Sequence, residues 1–402
     1  MRALLILAAA LTILPPAGAA ADLPDLPDLP DLDDHAAVRR ALVAAADDDD
    51  PAAMDALWSA LQSAGRLPYV AGDSVMFLYR GEAADVAVAG DFNGWDPAAG
   101  PATRLGAGDL WLREEVFPRD ARLDYKFVRD GDTWLLDAAN PRRQRGGFGD
   151  NSELRMPGYV PSPWVDERPG VPRGALAERR LASEALGYAV DYVVYRPAGP
   201  PGDQRLPVVY VTDGHEYRDP LMGGMVQVLD NMIAAGAIEP VMAVFVDPRT
   251  GGRNRRAEQY VLNPAFARFL AHELAPAVDA GWATIDDRRA RAILGTSLGG
   301  LNAAYVGARE TGSFGLVGCQ SPAFQAGGGN ILRAYEQAPR LPLDMVMTWG
   351  TFHDFGEHTV RMQQILDAKG YACTRVVVPE GHSWGNWRGL LDDVLRVWFG
   401  VD

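Results

Sequence analysis

The stretch from Arg289 to Ala308, RARAILGTSLGGLNAAYVGA, constrains this chain more than any other. A short apolar run through Ile293 and Leu294 leads into Gly295-Thr296-Ser297-Leu298-Gly299, and a run rich in small residues follows. The spacing predicts a strand, a sharp elbow and a helix. In a G-x-S-x-G turn the serine is held in a strained conformation at the top of a strand, so its hydroxyl stands clear of the backbone. Glycine is required at 295 and 299 because side chains there would collide where strand and helix cross closely. Ser297 is therefore the candidate nucleophile, and a tight turn without chemistry is the bland alternative.

The surrounding segments predict a layered α/β unit over 174–402. Glu178–Ala185 and Tyr188–Tyr195 read as an opening antiparallel pair. Near-continuous apolar runs follow at Leu206–Val211, Val241–Val246, the strand into the elbow, Leu316–Cys319, Met345–Met347 and Thr374–Val378. Such runs suit parallel strands covered on both faces. Helices are expected near Met222–Ala235, over Pro264–Asp279, near Ile331, over Thr359–Lys369 and from Trp384 onward.

The first 173 residues have a different texture. Met1-Arg2, the apolar run Ala3–Leu14 and the small residues up to Ala21 have the layout of a secretory signal peptide (1–21). The apolar run falls short of the about 20 residues needed to span a bilayer. An exported protein, periplasmic or secreted, is expected, with no membrane span. Asp-Leu-Pro repeats make 22–35 a low-complexity tether. Residues 36–66 carry apolar positions at helical spacing and predict a helical hairpin, with the acidic run Asp47–Asp50 as solvated loop and helix start. Short alternating runs over 67–155 predict a β-sandwich, and the prolines at 157, 161, 163, 169 and 172 make 156–173 a stiff linker.

A serine alcohol needs a base within hydrogen-bonding reach. Where the chain order is serine, acid, histidine, as in an α/β-hydrolase, the base comes late. His382 lies just past the last apolar run, in Pro379-Glu-Gly-His-Ser-Trp384, a loop position suited to ligand-facing groups. Of the other histidines, His35 falls in the tether and His272 in an amphipathic helix; His215, His353 and His358 lie near strand ends and stay open on position alone. Asp354, after the strand around Met347, is the candidate acid, with Glu357 as the alternative. The bland role for Glu357 is a first-turn charge complementing a helix dipole. His353, Asp354 and His358 match no zinc spacing, and an elbow serine needs neither metal nor cofactor. The amide of Leu298 at the helix start is one expected oxyanion donor, and the His215 amide in Thr212-Asp-Gly-His-Glu216 the other.

Several stretches resemble the esterase D group of α/β-hydrolases, and within it the enterochelin esterase-like proteins. They are Tyr210-Val-Thr-Asp-Gly214, Val244-Phe-Val-Asp-Pro248, Arg256-Ala-Glu-Gln-Tyr260, Gly295-Thr-Ser-Leu-Gly-Gly300 and Gly381-His-Ser-Trp-Gly-Asn-Trp-Arg388. The resemblance implies an α/β-hydrolase fold, a mostly parallel sheet with helices on both faces, preceded here by a small all-β sandwich. It also implies that Ser297 and His382 are catalytic and that Arg256 and Glu258 line the pocket. Related acetylxylan and feruloyl esterases place an Asp after a Gly-Thr pair, which favours Asp354. Arg256 and Glu258 read equally as a surface ion pair. Trp384, beside His382, is a candidate substrate contact, although aromatics on a closing helix often pack on the sheet. In the sandwich, Val88-Ala-Gly-Asp-Phe-Asn-Gly-Trp-Asp96 and Tyr125-Lys-Phe-Val-Arg-Asp-Gly131 resemble the early-set, immunoglobulin-like module of starch- and glycogen-binding proteins. Trp95 and Trp111 there are either sugar platforms or core.

The net charge of −15, from 53 acidic and 38 basic residues, favours neither nucleic acid nor an anionic membrane surface as partner, since both need a basic face. Two cysteines, Cys319 and Cys373, exclude a disulfide-dense scaffold and allow one bond, but both fall in apolar runs that suit buried thiols. The sequence thus predicts an exported serine carboxylesterase, acting without cofactor on a small-molecule or glycan-linked ester. The alternatives are a catalytically inactive glycan-binding protein on an esterase scaffold, and a peptidase on the same fold.

Overall fold

The structure, a computed structural model, describes residues 29–48 and 50–401. The expected signal peptide and the first half of the expected tether lie outside the described residues.

Two helices, His35–Asp47 and Pro51–Ser63, open the described chain. Each is started by an aspartate: Asp34 accepts from the Ala37 amide, and Asp50 from the amides of Ala52 and Ala53. Val38, Leu42, Leu57 and Leu61 recur at helical spacing and are buried against Met76, Leu78, Leu110 and Leu112. Those partners belong to a four-stranded antiparallel sheet in the order Tyr69–Ala71, Ser74–Arg80, Leu110–Val116, Thr103–Arg104. Its other face packs on a second sheet, with Val75, Phe77 and Trp111 meeting Val88, Tyr125 and Phe127. The second sheet runs Val86–Gly90, Arg122–Arg129, Gly149–Arg155, Arg143–Gly146, and Thr133–Leu135 pairs with Arg122–Arg129. Trp111 is core. Trp95 donates its indole N–H to Asp91 at 3.1 Å and stacks on Trp134.

The linker 156–173 is docked rather than free. The Asn231 amide donates to the carbonyls of Trp164 and Asp166 at 2.8 Å, and the Ser162 hydroxyl reaches Asp392 at 2.9 Å.

An eight-stranded sheet forms the rest: β1 (Ala175–Ala182), β2 (Ala189–Arg196), β3 (Val208–Val211), β4 (Met242–Val246), β5 (Arg291–Thr296), β6 (Leu316–Gln320), β7 (Asp344–Gly350) and β8 (Ala372–Val378). Its spatial order is β1-β2-β4-β3-β5-β6-β7-β8, with β2 antiparallel to both neighbours and every other pair parallel. The central strands β3, β4, β5 and β6 are buried along their whole length, because helices cover both faces and leave no polar side to alternate with. One apolar core lies on each face of the sheet. This is the α/β-hydrolase layering that the sequence predicts, with a small all-β unit ahead of it.

The helix expected over Pro264–Asp279 is interrupted. Pro264–Arg268 and Ala275–Gly281 are α-helical, but Phe269–Leu274 widens into a π turn. Pro276 accounts for it, since a proline lacks the N–H that would close a regular turn below it. Cys319 and Cys373 are both free thiols. Burial is the main cause raising both above the usual thiol range, to about 11 for Cys373.

Candidate active site

Ser297 stands between the last residue of β5 and the helix Leu298–Arg309, with φ 56° and ψ −118°. The elbow is tight: a Cβ on Gly295 would lie 2.4 Å from the Gly299 carbonyl oxygen and 2.3 Å from Thr212 Oγ1. Only glycine permits that approach.

His382 leaves the carboxyl end of β8 in the loop Pro379–Ser383 and brings Nε2 to 3.0 Å from Ser297 Oγ. Its Nδ1 lies 2.5 Å from Oδ1 of Asp354, which leaves the end of β7. Two rings meet the imidazole edge-on, Phe355 at 4.6 Å and Trp387 at 4.9 Å between centroids. Asp354 is buried, and its second oxygen accepts from the Ser321 hydroxyl at 2.6 Å and from the Gly350 amide. The Ser321 hydroxyl in turn accepts the Trp387 indole N–H at 2.7 Å. A carboxylate so supplied with donors is held in one orientation.

Backbone strain gathers here. Among the described residues, five of the eight non-glycine residues with positive φ are Asp213, Ser297, Ser321, His353 and Phe355. Such conformations persist only where the surroundings over-determine them, and they concentrate at functional sites.

Leu298, as the first residue of its helix, has an amide with no partner within the helix. His215 follows the loop after β3, and that loop touches the elbow through Thr212, whose amide donates to the Leu294 carbonyl. The His215 ring sits 3.6 Å from Glu216 and 3.5 Å from Asp247, away from Ser297 and His382 in the hydrogen-bond pattern. His353 and His358 are outside the Ser297–His382–Asp354 chain, and His272 pairs with Glu310 on the surface.

The structure does not bring Arg256 and Glu258 together as a pair. Arg256 reaches both oxygens of the fully buried Asp213 at 2.9 Å, and Glu258 pairs with Arg255 in solvent. Burial opposes the charge on Arg256, but Asp213 prevails and raises its pKa; burial likewise raises Asp213, and the guanidinium offsets only part of that. Arg256 also points a donor at the Thr296 carbonyl, so it braces the residue before Ser297. The expectation that Trp384 borders the pocket is corrected: it is 3 % exposed, edge-on to Tyr217 at 5.0 Å and to Trp387 at 5.1 Å. The closing helix turns it inward onto the sheet. Glu357 is exposed in the first turn of Gly356–Ala368, where its charge complements the helix dipole.

Ser321 is the residue sequence reasoning missed. Its signal was its place one residue beyond β6, beside the elbow strand, at the carboxyl end where open α/β sheets put their ligand-facing groups.

Residues 183–397, more than half of the chain, match the model of the Esterase family. The chain belongs to that family. This esterase is 24% identical over 235 residues to the uncharacterized protein YjcH of Bacillus subtilis, covering 56% of the present chain and 97% of the relative. It is 28% identical over 242 residues to an endo-1,4-beta-xylanase/feruloyl esterase of Xylanibacter ruminicola, covering 58% of the present chain but 32% of that longer protein. Among solved structures, the ferric enterobactin esterase of Salmonella typhimurium matches 81% of this chain and 93% of its own at a TM-score of 0.70 and 19% identity. The enterobactin esterase of Shigella flexneri, solved in the presence of enterobactin, matches 80% and 92% at a TM-score of 0.67 and 21% identity. At these identities the likeness is one of fold. Among the described residues, no helix is long and apolar enough to cross a membrane.

Proposed function

We propose that this esterase is a serine carboxylesterase working through an acyl-enzyme, with Ser297 as nucleophile, His382 as base and Asp354 as the acid that orients the ring. The supporting observation is the unbroken hydrogen-bonded chain from Ser297 Oγ through the imidazole to the Asp354 carboxylate, at 3.0 and 2.5 Å. His382 Nε2 takes the Ser297 proton as Oγ attacks the ester carbonyl, then returns it to the departing alcohol. Asp354 holds Nδ1 protonated so that Nε2 is free to accept, and it stabilises the imidazolium as it forms. The Leu298 and His215 amides are the proposed donors to the oxyanion. Water then repeats the cycle on the acyl-enzyme and releases the acid.

Two substrate classes fit: a siderophore-type lactone, or an acyl or feruloyl ester of a glycan. Their support is the likeness to enterobactin esterases and to a xylanase/feruloyl esterase. Export is also proposed, from the charged, apolar and small-residue layout of 1–21.

The test is labelling by a fluorophosphonate alongside turnover of siderophore, acetyl-sugar and feruloyl esters. Covalent labelling and turnover that both vanish in Ser297→Ala are expected. Turnover that persists in Ser297→Ala would overturn the assignment. Mass analysis of the protein from culture fractions checks removal of 1–21.

A further inference from the structure

The two loops that carry His382 and Asp354 do not rest on the α/β unit alone; both are seated on the β-sandwich. The seat for the His382 loop is Arg122, a guanidinium 1 % exposed at the start of the strand Arg122–Arg129. Its amide donates to the Pro379 carbonyl at 3.3 Å, and a parallel bridge joins Arg122 to Glu380. Its side chain donates to Ser383 Oγ at 3.1 Å and lies 3.7 Å from the Glu380 carboxylate. It therefore grips the residues on both sides of His382. Asp124 at 2.6 Å and Glu153 at 3.5 Å hold the guanidinium from the sandwich side.

Two glycines near His382 follow from the same contact. A Cβ on Gly381 would lie 2.1 to 2.5 Å from the Asp91 carboxyl group, and one on Gly385 within 1.9 to 2.2 Å of the Arg122 guanidinium. Asp91 is itself tied into the sandwich by the Asp124 amide and the Trp95 indole. The Gly-Asp-Phe-Asn-Gly-Trp segment thus points its acid at the catalytic loop, where a side chain turned outward to a sugar would be exposed. The Asp354 loop is seated nearby: Phe352 packs edge-on against Phe117, and Gly94 faces the ring of His353, 3.2 Å from a Cβ placed there.

Ser297, by contrast, hangs from the eight-stranded sheet. All three side chains are carried by that sheet, and the loops of the base and the acid are in addition seated on the sandwich.

We infer that Arg122, with Asp91 beside it, is a positioning residue for ester hydrolysis: the sandwich fixes His382 against Ser297 rather than serving only to bind substrate. This rests on the triad reading above.

Arg122→Met removes the grip and Arg122→Lys keeps the charge without the fork, because an ammonium cannot meet Ser383, Glu380 and Asp124 together. Leu78→Ala is the control, since it weakens the sandwich on the side facing the helical hairpin, away from the seat. Wild type and variants are compared by kcat and KM on a short chromogenic ester, by melting temperature, and by hydrogen exchange of peptides covering 351–355 and 379–383. Arg122→Met is expected to lower kcat at least tenfold with KM within twofold and to speed exchange in both peptides. Arg122→Lys should fall between, and Leu78→Ala should lower the melting temperature with kcat within twofold. The inference is overturned if folded Arg122→Met keeps kcat and slow exchange, or if Leu78→Ala loses as much kcat. Should Arg122→Met not fold, Arg122→Lys is read by the same criteria. The triad reading fails separately, by turnover that survives Ser297→Ala.

Discussion

The hydroxyl of Ser321 donates to Asp354 Oδ2 at 2.6 Å, on the side of the carboxylate opposite His382. With the indole of Trp387 donating to the same hydroxyl, the acid is oriented by a relay reaching from β6 to the closing helix. Ser321→Ala leaves the Gly350 amide and His382 on Asp354 but strands the Trp387 N–H. A buried hydrogen bond to a charged group is worth about 1.5 to 3 kcal/mol. We expect kcat to fall about tenfold or somewhat more, with KM little changed, in steady-state ester hydrolysis.

Asp354 and Glu357 separate cleanly by mutation. Asp354 is buried on the imidazole and Glu357 is exposed on a helix start. Asp354→Asn leaves the shape intact but favours the wrong imidazole tautomer, for which a loss on the order of 10⁴ in kcat is the measured precedent. Glu357→Gln should stay within about twofold, as first-turn charges act through about 0.3 to 1 kcal/mol on the helix alone. Equal losses in the two variants would refute the assignment of the acid.

What the sequence made legible was whatever has a local signature. The elbow at Ser297 is written in glycines with one steric reason, and the sheet in apolar runs whose burial on both faces leaves no alternation. Trp384 was legible too, had its phase been used: Trp384, Trp387, Leu391 and Leu395 lie three or four residues apart and all are buried. The hairpin Arg143–Arg155 was not, because its strands carry arginine, glycine and acid in place of a β-rich alternation. Arg122 was opaque for another reason. Beyond Asp124 its partners lie 22, 31, 258 and 261 residues away, and no local pattern encodes them.

That hairpin carries its turn to the neighbourhood of the loop after β3. Arg145 lies 3.9 Å from Asp219, and Gly147 faces Glu216. Phe148 at the tip is fully exposed. An exposed aromatic there is a candidate face for a large acyl group, worth about 1 kcal/mol or less at an open site. Phe148→Ala should raise KM several-fold for an aromatic-acyl ester and leave acetyl-ester kinetics alone; an equal change for both esters would rule out the contact.

Arg256 and Glu258 should differ in stability. Removing one partner of a buried pair leaves an uncompensated charge, at a cost of about 3 to 5 kcal/mol. Arg256→Met strands the Asp213 carboxylate, whereas Glu258→Gln breaks a solvent-exposed pair worth about 0 to 1 kcal/mol. Denaturant unfolding should therefore show a large loss for Arg256→Met and almost none for Glu258→Gln. Asp213→Asn added to Arg256→Met should recover part of the loss.

The cluster around Arg122 also sets a pH dependence opposite to ordinary acid denaturation. Burial pushes the Glu380 carboxyl up from 4.5 to about 7; the guanidinium of Arg122 opposes this, while Asp124, Glu153 and Asp354 add to it. Asp91 and Asp124 are raised as well, chiefly by burial. Between pH 4.5 and about 7 the folded protein holds a proton on Glu380 that the unfolded chain has released. Stability from this group therefore falls as pH rises through that window and is flat above it. Moving the carboxyl from 4.5 to about 7 corresponds to about 3 kcal/mol. Glu380→Gln mimics the protonated form, so it should melt higher than wild type at pH 8, with the difference vanishing near pH 4. Melting curves at both pH values check this, and a difference that grows toward acid would reverse the sign and exclude Glu380 as the group responsible.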